Sequence, residues 1–144
     1  MFSEKFRGPA RAFQITIGLT EGYGTNVRHT PQEVLDGIEE WMKKRMKAGL
    51  PIVTGGILIG GPMLYAWKSE ATGIQTNQED CVIFSGDVNP LYSAGLSDED
   101  VVLILNDLSD FLGERFNQTR MYSKFKGDLI IRQNTKTAHP TEKK

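Results

Sequence analysis

Between Ala12 and Leu19 apolar residues alternate with polar or small ones, Ala-Phe-Gln-Ile-Thr-Ile-Gly-Leu. That period of two predicts a strand buried on one side. After a loop over residues 21–26 the spacing changes. Thr30-Pro31-Gln32-Glu33 forms a capping box with proline at the first helical position. Val34, Leu35, Ile38, Trp41, Met42 and Met46 then recur every three or four residues, the stripe of an amphipathic helix. Lys43, Lys44 and Lys47 favour its C-terminus through the helix dipole, and Gly49-Leu50-Pro51 stops it. From Ile52 to Trp67 the chain is apolar and broken by Gly55-Gly56 and Gly60-Gly61-Pro62. One long strand is expected there, with bulges or close approaches of another backbone or a ligand at the glycine pairs.

Residues 68–80 are polar and turn-rich and read as a flexible connection, followed by a buried strand over Cys81–Ser85. Ser97-Asp98-Glu99-Asp100 opens a second helix with a serine cap and three acids in its first turn. Val101, Ile104, Leu105, Leu108, Phe111, Leu112 and Phe116 form its apolar stripe. Met121–Phe125 and Leu129–Arg132 are strands joined by the Lys126-Gly127-Asp128 turn. Each helix must bury one stripe. The order of elements therefore predicts an α+β, ferredoxin-like βαββαβ sandwich: an antiparallel sheet, both helices on one face, and an extra C-terminal β-strand. Residues 1–11 read as an N-terminal leader, 12–132 as the domain and 133–144 as a disordered tail. Ile57, Ile59, Leu64, Ile83 and Ile131 exceed what one helical layer covers, so a homotrimer or homodimer is expected to cover the open face.

Composition narrows the possible chemistry. The 144 residues are 39% hydrophobic and 24% charged, values ordinary for one globular domain. With a formal net charge of −1 there is no global attraction to nucleic acid or anionic lipid. The start of the chain lacks the apolar core of a secretory signal and no apolar run approaches a membrane span, so a cytoplasmic setting is expected. One cysteine, Cys81, excludes an intrachain disulfide and reads as a small buried hydrophobe. His29 and His139 have no ligand cluster around them, and no metal or cofactor is expected. The glycine pairs are not followed by a helix start, so they do not make a phosphate loop. The RNA-binding module of the same topology needs aromatics on its central strands, and Cys81-Val82-Ile83-Phe84 matches poorly.

If strands two and three form a hairpin, Tyr65, Trp67 and Glu79 meet at one end of the sheet. An aromatic platform beside a carboxylate suits a flat, cationic or hydrogen-bonding ligand. A carboxylate at the edge of an apolar surface also gains proton affinity, which suits acid–base work. Tyr23, between Gly22 and Gly24, is a second candidate contact on a ligand loop, and Gly60 and Gly61 would admit a ligand edge close to backbone.

The element order, the aromatic near the end of strand two, the acid at the start of strand three and the run Glu114-Arg115-Phe116-Asn117-Gln118-Thr119-Arg120-Met121-Tyr122 together resemble two groups. One is a set of small uncharacterised ferredoxin-like bacterial proteins; the other is the phage S-adenosylmethionine lyases, which are similar to PII-type trimers. The resemblance spans about residues 12–132. It implies a tyrosine of strand two, at the position of Trp67 or Tyr65, and a glutamate of strand three, at Glu79, bordering a ligand held between subunits. The implied protein is a homo-oligomer binding S-adenosylmethionine or a nucleotide-like metabolite, possessing Glu79 and Tyr65 as catalytic residues if it is a lyase. Trp67, Gly60, Gly61 and Tyr23 would be ligand contacts. The alternative is a non-catalytic assembly or interaction module that uses the open sheet face.

Overall fold

A computed structural model describes residues 1–22 and 26–135. Its elements are β1 (Ala12–Gly18), α1 (Pro31–Lys47), β2 (Ile57–Ser69), β3 (Gly73–Asp87), the short α2 (Pro90–Ser93), α3 (Asp98–Arg115), β4 (Arg120–Phe125) and β5 (Asp128–Gln133). The five strands form one antiparallel sheet in the order β2-β3-β1-β4-β5. This is the expected ferredoxin-like α+β arrangement with its extra terminal strand.

Phe13, Ile15 and Ile17 of β1 share one buried cluster with Val82 and Phe84 of β3, Met121 and Phe125 of β4, and the stripes of both long helices. Since alternate residues of a strand point to one side, α1 and α3 both lie on that side. The helices also meet each other: the Trp41 indole N–H donates to Asp107 at 2.9 Å, and Arg45 joins the same carboxylate. A Cβ at Gly37 would come within 3.3 Å of the Phe116 ring, so the absent side chain sets how closely α1 approaches the end of α3. Thr30 caps α1, its Oγ1 accepting from Glu33 N–H, but the Glu33 carboxylate turns to His29 Nδ1 instead of closing the expected capping box, whereas Ser97 and Asp100 close a reciprocal box on α3.

Several expectations need correction. The α1 stripe is narrower than its periodicity implied: Val34, Ile38 and Trp41 are buried, but Leu35 and Met46 are exposed. Residues 68–80 are not a flexible connection, because β2 continues to Ser69 and β3 begins at Gly73. The pairing runs unbroken from Ile57↔Ser85 to Ser69↔Gly73, so Gly60 and Gly61 mark no bulge. The first strand-two residues, 52–56, precede the ladder, and the close approach falls on Gly56, whose Cβ would sit 2.8 Å from the Phe84 ring and 2.9 Å from Ser85 O. Leu64 is exposed, but on the opposite side of β2 from Ile57 and Ile59.

The longer ladder has a structural consequence. β1 pairs with β3 only from Gly18↔Cys81 to Ala12↔Asp87. Residues 62–69 and 73–80 therefore project beyond the other strands as a two-stranded arm. Its β3 half, Gln75 to Asp80, is polar throughout, as a strand with no helix packed over it can be. Among the described residues no helix is long and apolar enough to cross a membrane.

Candidate functional site

The face of the sheet away from the helices carries the odd-numbered residues of β2 and β3 and the even-numbered residues of β1 and β4. Where the β2–β3 arm leaves this face, a cavity of about 300 Å³ opens. Thr16, Gly18 and Thr20 form its floor along β1 and its continuation. Met63, Tyr65, Ala66 and Trp67 supply one wall, Glu79 the base of that wall, and Gln118, Thr119, Arg120 and Tyr122 the other side.

Tyr65 and Trp67 stand two residues apart on one side of β2 and stack, with ring centroids 5.7 Å apart and planes 26° from parallel. Asn77, directly opposite Tyr65 in the ladder, donates its side-chain N–H to the phenol oxygen at 2.9 Å. Glu79 follows on the same side of β3. Burial raises the proton affinity of its carboxyl above the ordinary value, while the backbone N–H of Thr20 donates to it and works in the opposite direction.

Gly18 makes this placement possible. A Cβ there would collide with the Glu79 carboxylate and lie 3.1 Å from Gln118 Oε1. Gln118 is only 8% exposed. Its Nε2 donates to Thr20 O at 2.9 Å and to Phe116 O at 3.1 Å, which leaves Oε1 as an acceptor beside the carboxylate. Two oxygen acceptors thus converge over a bare backbone, on the sheet face that also carries the stacked aromatic rings. Such a site complements a cation or a group rich in N–H donors.

The stem of the loop after β1 is held by His29, whose ring nitrogens lie 2.7 Å from Glu21 and 2.7 Å from Glu33. Burial disfavours the charged ring, but the hydrogen bonds to Glu33 and Glu21 outweigh it and raise the pKa. Asn117 ties Glu21 to the end of α3, and His29 packs edge-on against Phe116 at 4.9 Å. This histidine is structural in position, linking the loop stem to both helices. Among the described residues no cluster of His, Cys, Asp and Glu has the form of a metal site. Cys81 is a buried free thiol whose ionisation is made harder by burial and by the nearby Glu79 and Asp80 carboxylates.

Of the residues singled out from sequence, Tyr65, Trp67 and Glu79 are brought together around one cavity. Gly60 and Gly61 lie on β2 outside its lining; a Cβ at Gly60 would make only ordinary contacts and one at Gly61 none. Tyr23 lies outside the described residues. No site role was read from sequence for Gly18, Thr20, Gln118 or Tyr122, although Gln118 and Tyr122 both stand in the run from Glu114 to Tyr122. The signal at Gly18 was a glycine in an otherwise regular strand, the usual mark of a close approach.

No protein-family model matches the chain, and no curated protein matches it significantly. Two solved structures do. One is a phage SAM lyase in complex with S-methyl-5'-thioadenosine, with 18% sequence identity, a TM-score of 0.66, and coverage of 96% of this chain and 100% of that one. The other is a phage SAM lyase in its apo state, with 18% identity, a TM-score of 0.69, and coverage of 94% and 98%. The chain is therefore similar in fold, over nearly its whole length, to phage SAM lyases.

Proposed function

We propose that this protein binds S-adenosylmethionine, or an adenosyl metabolite of the same class, in the cavity on the open sheet face, and acts there as a lyase. The observation that carries the proposal is the Glu79 carboxyl seated over Gly18, on the same face of the β2–β3 ladder as the stacked Tyr65 and Trp67 that line the cavity with it. A sulfonium or ammonium centre would sit between acceptor oxygens and aromatic faces, the aromatic contribution being about 0.5–2 kcal/mol. The fold is shared with a lyase whose bound ligand is S-methyl-5'-thioadenosine. Formation of that thioether from S-adenosylmethionine breaks the C–S bond to the four-carbon amino-acid chain, returns its electron pair to sulfur and abolishes the sulfonium charge, while the released carbon completes its valence either by bonding to the chain's own carboxylate, closing a lactone, or by loss of a neighbouring proton, giving an alkene. The site then holds substrate more firmly than product, which favours release. Glu79 orients the cationic substrate, Tyr65 supplies a hydroxyl, and Trp67 provides the ring surface.

The exposed side chains of Ile57, Ile59, Leu129 and Ile131 lie on the same sheet face, and self-association through them is part of the proposal. They also favour the second reading, a non-catalytic assembly module. Incubation of the protein with S-adenosylmethionine, followed by chromatography, is expected to yield S-methyl-5'-thioadenosine, and both compounds are expected to raise the melting temperature. Absence of turnover together with absence of any thermal shift would reject the adenosyl reading and leave the assembly module.

A further inference from the structure

Asn77 is not among the residues lining the cavity, yet it touches the one phenol on the β2 wall. The two residues are direct cross-strand partners, on the side of the arm that carries Glu79. A phenol oxygen accepts and donates, and Asn77 Nδ2 fills an acceptor direction at 2.9 Å. The phenol hydrogen is then left to donate elsewhere. Stacking on Trp67 holds the ring itself. We infer that Asn77 is a positioning residue that fixes Tyr65 as an outward hydrogen-bond donor to an oxygen acceptor of the bound ligand. This role rests on the cavity being the substrate site, as proposed above, but the hydrogen bond that carries it is independent of the ligand's identity.

A near-isosteric reversal separates this role from a structural one. In Asn77→Asp the carboxylate can only accept, so the Tyr65 hydroxyl turns towards it and is lost to the ligand. Loss of one such hydrogen bond in the rate-determining complex is expected to lower kcat about five- to tenfold, with KM changed less than about twofold. Tyr65→Phe should give a similar loss, and the double variant no more than either single one, because both remove the same donor. Losses that add in the double variant would overturn the inference, as would an unaltered kcat in Asn77→Asp. If the wild-type protein turns over no S-adenosylmethionine, the functional proposal fails and a different reading decides this one. With tyrosine labelled at the ring Cζ carbon, the carbon NMR signal assigned by its disappearance in Tyr65→Phe should shift in Asn77→Asp. A signal that stays put would show that Asn77 does not control the phenol.

Discussion

At the scale of single residues, the site is organised by what Gly18 lacks. A methyl group there would displace the Glu79 carboxylate, and with it the Thr20 N–H contact that the carboxylate accepts. The position of Glu79 carries a stability cost with a definite sign. Its carboxyl has a raised pKa in the folded state, so folding favours the protonated form. Stability is therefore greater below its ordinary pKa and falls as pH rises through the interval up to the folded value. Glu79→Gln removes that titration. We predict that the variant melts higher than wild type at pH 7, that the difference shrinks towards pH 4, and that binding of S-adenosylmethionine weakens at least tenfold. Melting curves across pH together with calorimetric titration check both parts; a Glu79→Gln protein less stable at pH 7 would contradict the assigned burial penalty. Glu79 was legible in the sequence because an acid at the edge of an apolar strand stands out. Gln118 was not, because its role depends on Thr20 and Phe116 carbonyls, contacts that no local pattern reveals.

At the scale of elements, periodicity and capping identified both long helices and the order of strands, because helix starts and stops rest on local chemistry. The β3 half of the arm escaped because a strand with no helix packed on it need not alternate strongly between apolar and polar residues. Ile74-Gln75-Thr76-Asn77-Gln78-Glu79-Asp80 therefore reads as a loop although it is paired throughout. The width of the α1 stripe was overstated for a related reason: α1 covers one edge of the helical layer, and Leu35 and Met46 fall beyond its contact with α3 and the sheet. The arm turns at Gly73, where φ is +75°. An L-residue side chain there costs roughly 1–2 kcal/mol. Gly73→Ala is predicted to increase amide hydrogen exchange within 62–80 while exchange in β1 and β4 stays unchanged, since the arm has no third strand to transmit the strain. Uniformly faster exchange across the sheet would contradict that independence.

At the scale of the whole molecule, the sheet has one side covered by helices and one side on which Ile57, Ile59, Leu129 and Ile131 remain 54–69% exposed. The proposed self-association buries this surface. Ile59→Glu places a charge within it, outside the cavity lining, and is predicted to shift the sedimentation of the wild-type oligomer to that of a monomer while leaving the folded-state circular dichroism intact. A wild-type protein that already sediments as a monomer at tens of micromolar would reject the idea. The unsupported arm has one more consequence. The ring-bearing wall of the cavity hangs from a hairpin that can peel away from the sheet without disturbing the helices beneath it. Entry and exit of a guest molecule would then be governed by swinging of that hairpin about its root at Asp80, its own eight rungs intact, rather than by melting of the protein, and occupancy would shield the root from proteases.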